Sequence, residues 1–192
     1  MFARTSDKIH SKEEFGEEDF SKEDFSKEDF SKEDFVQALK SDGVYLRHHT
    51  TTTNWYNIER DGYLRASVTE VDDLVGPEYL PVLLAKYTPI AAVYFQLVKD
   101  AAPRFEPQDG ITELFFTPDA ISTSQFVLHP VGWHFGLDKR TDQYCSDPQL
   151  SRYTNIDLKS AYHNIRYNDI YDEMNEILIT NNVPLTYCVR VF

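Results

Sequence analysis

The stretch Val44–Leu64, VYLRHHTTTTNWYNIERDGYL, constrains the fold more than any other part of the chain. It demands a strand, a polar turn, a short helix and a glycine stop in quick succession. Val44, Tyr45 and Leu46 are β-formers that run into His48, His49 and Thr50, so a strand anchored in a core delivers imidazole and hydroxyl groups to its carboxyl end. Any of Thr52, Thr53 or Asn54 suits the N-cap of the helix that follows. Trp55 and Ile58 then fall at helical spacing, Gly62 supplies the left-handed residue that ends the helix, and Tyr63 and Leu64 return to the core.

Residues 11–35 impose no such order. They form five pentads, SKEEF, GEEDF and three copies of SKEDF, with phenylalanine at every fifth position. In a helix that period turns the ring by about 140° each time, and in a strand it alternates faces, so neither structure gathers the rings into one stripe. The expectation is a low-complexity acidic arm over residues 1–35, disordered or loosely helical, ahead of a globular domain over residues 36–192. The arm's acidic and aromatic mix suits docking on a basic partner or on the chain's own substrate groove. A solvated tail is the plainer reading.

From residue 35 the chain alternates between helix and strand signals. Phe35–Lys40 reads as a short helix, and Ser41-Asp42-Gly43 as the turn into the first core strand. Ile90–Val98, Ile111–Thr117 and Phe126–Leu128 read as strands, with a turn at Pro118–Ser124. Leu137–Tyr153 is polar and reads as a long loop. Asp157–Met174 carries a helical apolar face of Leu158, Ala161, Tyr162 and Ile165, and Asn155 or Asp157 suits its cap. Glu176 opens a strand over Ile177–Thr180, in which Glu176 and Leu178 share one face and Ile177 and Ile179 the other. Leu185–Phe192 reads as the last strand. Periodicity alone thus gives a mixed fold of strands and helices.

Several chemistries are disfavoured. The only cysteines, Cys145 and Cys188, form no Cys-x-x-Cys pair, so neither a disulfide framework nor a structural zinc site is indicated. His129 and His134 precede Cys145, but their spacing is loose for a metal site and a Gly- and aromatic-rich loop explains them as well. No apolar run approaches the roughly 20 residues that cross a bilayer, and the first residues are too polar for a signal peptide, which makes cytoplasmic the default location. The formal charge of −13 argues against a broad nucleic-acid-binding surface. Residues 11–35 hold eleven Asp and Glu against four Lys, so residues 36–192 remain acidic as well. Only a local groove could serve, with Arg47, Arg60, Arg65, Lys86 and Arg166 as contributors.

Two segments carry a family resemblance. His48, Thr50, Asn54, Trp55, Ile58, Gly62 and Leu64, in that order, resemble the H-x-T-x-x-x-N-L-x-x-I-x-x-x-G-L opening of ADP-ribosyltransferases, particularly the DarT type that modifies DNA. Asn175-Glu176-Ile177-Leu178-Ile179, followed by Asn182-Val183-Pro184-Leu185, resembles the a-E-i-L-v…v-P segment that carries that family's catalytic glutamate.

The resemblance implies an α+β fold, an ADP-ribosyltransferase-like split β-sheet of mainly antiparallel strands with flanking helices around an NAD cleft. It implies an NAD-dependent mono-ADP-ribosyltransferase that consumes NAD as a substrate. The acceptor would be a nucleic-acid base in DNA or RNA, and the enzyme a toxin or phage-defence effector with an antitoxin or inhibitor protein as partner. By the same resemblance Glu176 is the catalytic carboxylate, His48 and Thr50 hold the nicotinamide ribose and the dinucleotide, and Tyr94 packs on the nicotinamide. Arg65 fills the place of a catalytic arginine that the family uses between its two motifs, with Lys86 as a substitute.

The chemistry suits a carboxylate, because breaking the nicotinamide–ribose bond makes an oxocarbenium-like centre that a nearby negative charge stabilises. Duller readings compete: Tyr94 as a core tyrosine, and Glu176 as an edge charge or one member of a charged face with Asp169, Asp172 and Glu173. His49 adjoins His48 and is expected to point the other way, outside the site. Two further functions stay open: transfer to a protein side chain, and an idle transferase-like module used for binding.

Overall fold

The computed structural model describes residues 30–68, 87–103, 110–129, 137–138, 143–167 and 175–192. The pentads before residue 30, Lys86 and the loop containing His134 lie outside them. Helix α1 spans Lys32–Ser41, and its start is written in the last pentad. The Ser31 hydroxyl accepts a hydrogen bond from the Asp34 backbone N–H at 3.1 Å, and the Asp34 carboxylate accepts one from the Ser31 N–H at 2.9 Å. That reciprocal pair satisfies two of the N–H groups a helix start leaves over. Phe30 and Phe35 flank the cap at the spacing of a hydrophobic staple. Phe35 is fully buried, stacked on Phe126 at 5.8 Å and edge-on to Tyr162 at 6.0 Å, while Phe30 stacks on Tyr162 at 5.7 Å. A division of the chain at residue 35 therefore cuts through this helix.

Strand β1 (Tyr45–Thr51) follows, then helix α2 (Thr52–Asp61). The cap of α2 is Thr51, one residue before the three expected, because β1 keeps its pleat through Thr51 and the hydroxyl accepts from the Asn54 N–H at 3.1 Å. Gly62 ends α2 at φ +77°, a conformation that costs an L side chain about 1 kcal/mol or more. Further on come β2 (Tyr63–Leu64), β3 (Ser67–Val68), β4 (Tyr87–Thr88), β5 (Ala91–Val98) and β6 (Ile111–Phe116). The chain continues with the short helix α3 (Asp119–Ser122), where a turn was expected, and then β7 (Phe126–His129), β8 (Leu137–Asp138) and β9 (Tyr144–Cys145). The expected 137–153 loop therefore contains strands, and it ends in a 3-10 turn over Pro148–Tyr153 capped by Asp147. Helix α4 (Leu158–Tyr167), β10 (Glu176–Ile179), β11 (Val183–Pro184) and β12 (Cys188–Val191) complete the described elements. Leu185–Tyr187 form a 3-10 turn rather than the start of the last strand.

The main sheet runs β12-β6-β1-β5-β10-β7-β9, with every neighbour antiparallel. Leu46, Phe95, Leu97, Leu114, Phe116, Phe126, Leu128, Ile177 and Ile179 share one face. Phe35, Val36 and Leu39 of α1 and Leu158, Ala161, Tyr162 and Ile165 of α4 pack into the same core. The fold is thus α+β, a layer of helices on an antiparallel sheet.

Pairing along β5 changes partner halfway. β1 pairs with its carboxyl-terminal half, from Tyr45↔Val98 to Arg47↔Gln96, whereas β3 pairs with its amino-terminal end, at Ser67↔Ala92 and Val68↔Ala91. From His48 onward β1 is paired, among the described strands, with β6 alone. The sheet is therefore split between β1 and β5 beyond Arg47.

Three helix-end carboxylates make stability depend on acid. Asp34 is held below the ordinary carboxylate range by the Ser31 hydroxyl, Asp119 by the Lys40 ammonium, and Asp157 by the backbone N–H and then the hydroxyl of Ser160. A depressed folded pKa stabilises the native state above the unfolded value, and that contribution is lost as pH falls through the folded one. Thermal midpoints should be level above about pH 5 and fall below about pH 4. The doubly substituted Asp119→Asn/Asp157→Asn protein should lose less over that range, as followed by circular dichroism. The Lys40–Asp119 pair, at 2.9 Å with both side chains about two-fifths exposed, contributes little of this on its own.

Candidate functional site

A cavity of about 690 Å³ opens at the split, with His48, His49, Thr50, Asn54, Asn57, Arg65, Ala92 and Tyr94 among the described residues that line it. That is the size range of cofactor and drug-sized ligand sites. At its apex the Nδ1 of His48 lies 2.9 Å from the backbone oxygen of Tyr94. A carbonyl only accepts, so Nδ1 carries a proton and donates it to the Tyr94 oxygen. The imidazole replaces a ladder bond at the point where β1 leaves β5, which fixes its tautomer and its position together.

Thr50 and Thr51 divide their roles around Asn54. The Asn54 backbone caps onto Thr51, and the Asn54 side-chain amide donates to the Thr50 hydroxyl at 3.0 Å. Thr50 is consequently fixed on the cavity wall by the first turn of α2. Arg65 follows β2 on the same wall, exposed, with its pKa raised by a hydrogen bond with Tyr63 and by the charges of Tyr63 and Asp61. It is a permanent cation at the mouth.

The two sequence motifs meet in space although about 120 residues separate them. β2 of the first pairs with β11 of the second, at Leu64↔Val183 and Tyr63↔Pro184. The Leu185 N–H donates to the Gly62 oxygen at 2.9 Å, and the Ala66 N–H donates to the Asn182 side-chain oxygen at 3.0 Å. Gly62, Leu64, Val183 and Pro184 are therefore one clasp beneath the cavity.

Glu176 is 2% exposed at the start of β10, opposite Gln96 of β5 and His129 of β7. Among the described residues, the cavity lining gathers His48, Thr50, Tyr94 and Arg65 but not Glu176, which stands one strand beyond the β5 wall. The pleat also puts Glu176 on the face opposite to His48, since it shares a side with Gln96 and Arg47. Beside it, both amide atoms of buried Asn175 have no hydrogen-bond partner among the described residues. Leaving such groups unpaired costs about 1–3 kcal/mol each, which ordinary core positions avoid.

His49 differs from expectation. It does point to the other face, yet at the split that face also reaches the cavity, and His49 lines it. Its Nε2 donates to the Glu113 carboxylate at 3.0 Å, and the Arg47 guanidinium lies 3.8 Å from the same oxygen. Glu113 is 1% exposed and Arg47 7% exposed, so this is a buried ionic group rather than a surface one. Alternation in the sequence shows which face His49 takes, but not that the sheet parts beside it. Asn57 was missed for a related reason: nothing marks it as different from any polar residue on an exposed helix face.

No family model matches the sequence, and no curated protein does. Among solved structures the chain is similar to Thermus sp. 2.9 DarT in complex with carba-NAD+, at 14% identity and a TM-score of 0.42, covering 77% of this chain and 80% of that one. The same protein in complex with NAD+ gives 16% identity and 0.42 over 77% and 80% of the two chains. In complex with ADP-ribosylated ssDNA it gives 13% and 0.43 over 79% and 81%.

Proposed function

We propose that this protein is an NAD-dependent mono-ADP-ribosyltransferase that transfers ADP-ribose from NAD to a nucleic-acid base. The observation that carries the reading is the convergence of the two motifs: the Gly62–Leu64 end of the first pairs with the Val183–Pro184 end of the second, directly beside a cavity lined by His48, Thr50, Tyr94 and Arg65. In this reading His48 and Thr50 bind the ribose and dinucleotide hydroxyls, with His48 held by the Tyr94 carbonyl and Thr50 by Asn54. Tyr94 stacks on the nicotinamide, and Arg65, a cation on the cavity wall, serves as the catalytic arginine alongside Glu176. Glu176 acts as the carboxylate that favours charge on the ribose as the nicotinamide bond breaks. Fixing the donor so that the acceptor attacks from the opposite side is the larger part of the binding residues' work. A toxin or defence role held in check by an antitoxin protein goes with this chemistry.

Transfer to a protein side chain is the second reading, favoured by the formal charge of −13, which repels nucleic acid. The deciding experiment incubates the protein with NAD labelled in the adenylate and separately with single-stranded DNA, RNA and a mixed protein extract. Label in DNA or RNA supports the proposal, and label in protein alone transfers the assignment to the second reading. Label in none, with no NAD binding by calorimetry, overturns both. His48→Ala should weaken NAD binding by about tenfold, one hydrogen-bonded contact's worth, measured by the same calorimetry.

A further inference from the structure

Helix α2 turns one side to the cavity and another to solvent. At 3.6 residues per turn Asn57, Asp61, Asn54 and Ile58 fall within an arc of about 100°, and all four line the cavity. Arg60 lies about 60° outside that arc and Tyr56 about 100° outside it. Arg60 still reaches the cavity, and Tyr56 stands beyond it on the crest of the helix. Tyr56 is 65% exposed, more than any other large apolar residue among those described. Solvent-facing helix positions are ordinarily filled by charged and polar groups. Here a ring lies open at the rim of a cavity, where it can take the flat face of a partner.

The cation next to that ring is not used up. The Nε of Arg60 donates to the Asp61 carboxylate at 3.1 Å, and a terminal nitrogen lies 3.0 Å from the same oxygen. A guanidinium has five N–H donors, and this side chain is 70% exposed, so the remaining donors can take a phosphate. Tyr56 and Arg60 are one turn apart, about 6 Å along the helix axis. Charge gives the crest a direction as well. Glu59 lies on its outer flank, about 60° from Tyr56 on the side away from the cavity, whereas Arg65 adds a second cation on the cavity wall. A polyanion laid along Tyr56 is therefore repelled outward and drawn inward.

We propose that the Tyr56–Arg60 crest of α2 is where the acceptor lies: a single-stranded nucleic acid with one base stacked on Tyr56 and the adjoining phosphate on Arg60. The inference rests on the nucleic-acid reading of the acceptor and gives that reading a surface. A single strand is required because a protein ring stacks only on a base that has left its own stack. The formal charge of −13 provides no general attraction for a polyanion. Stacking supplemented by one or two cations is how such a protein can hold one, and it makes the hold depend only weakly on salt.

The test measures fluorescence anisotropy of short, mixed-sequence, fluorescein-labelled single strands of DNA and of RNA, without NAD and at several salt concentrations. Tyr56→Ala should weaken binding by about tenfold, within the range of one stacked base, and Tyr56→Phe should bind like the wild type. Arg60→Gln should lower the slope of log affinity against log salt by about 0.7, the counterions of one phosphate on a single strand. In label transfer from NAD, Tyr56→Ala should raise KM for the strand about tenfold with KM for NAD unchanged. A wild type that binds neither strand, or a Tyr56→Ala variant that binds as tightly as the wild type, overturns the proposal. Label that passes to protein alone, with a KM for that protein raised by Tyr56→Ala, also overturns it and makes the crest a protein-docking surface. The binding arm stands apart from the transferase reading. Strand binding that depends on Tyr56 in a protein that transfers no label upholds the crest and sinks that reading, while transfer to nucleic acid that is indifferent to Tyr56 and Arg60 does the reverse.

Discussion

Glu176→Gln is expected to lower ADP-ribosyl transfer by on the order of 10²-fold or more, with NAD binding nearly intact. The substitution keeps the shape of the side chain and removes only its charge, in a position 2% exposed and opposite a glutamine. A charge in so dry a place is worth far more to a developing cation than one in water. Because the effect appears only as the bond breaks, it should fall on kcat and leave KM almost alone. Steady-state rates against NAD concentration, paired with calorimetric binding, measure both quantities. Turnover equal to that of the wild type would make Glu176 a structural carboxylate and return the catalytic role to the residues of the cavity.

The largest effect on stability is expected from Phe35→Ala, at about 3–5 kcal/mol. Phe35 has no exposed surface and is wedged between Phe126 of β7 and Tyr162 of α4, so its loss removes a contact between the helix layer and the sheet. The cavity left behind cannot collapse easily, because α1 is also fixed by its cap and by Val36 and Leu39. Phe30→Ala should cost clearly less, since Phe30 is partly buried and stacks on Tyr162 at the rim. Urea unfolding of the two variants makes the comparison, and equal, small losses would mean that the last pentad is not part of the core.

That phenylalanine illustrates where the sequence misleads. A period of five cannot build a stripe, and the conclusion is sound for the repeat as a whole; but the last copy adjoins Val36 and Leu39, and one ring at the right place is enough to join a core. Local chemistry was more legible. Gly62 has the predicted positive φ, β5 lies within its expected bounds, and Glu176 opens its strand with the predicted alternation. What could not be read was partnership between strands. Nothing in LRHHTTT says that the ladder to β5 ends after Arg47 while the ladder to β6 continues, and that difference opens the cavity. Nor does it say that Arg47 and Glu113, far apart in sequence, sit on one buried face. Hydrogen-bonded pairing is a property of two segments, and a single sequence displays each segment alone.

The position of β10 has a consequence for how the protein comes into being. A ribosome delivers β1, β5, β6 and β7 long before residues 176–179, yet β10 lies between β5 and β7 and joins the two parts of the sheet. Until it arrives, Phe95 and Leu128 lack Ile177 as their cross-strand neighbour. Pairings of such long sequence separation form late and slowly. Glu176 therefore comes with the strand that closes the sheet, and a nascent chain halted before that point has neither a finished core nor the carboxylate assigned to catalysis.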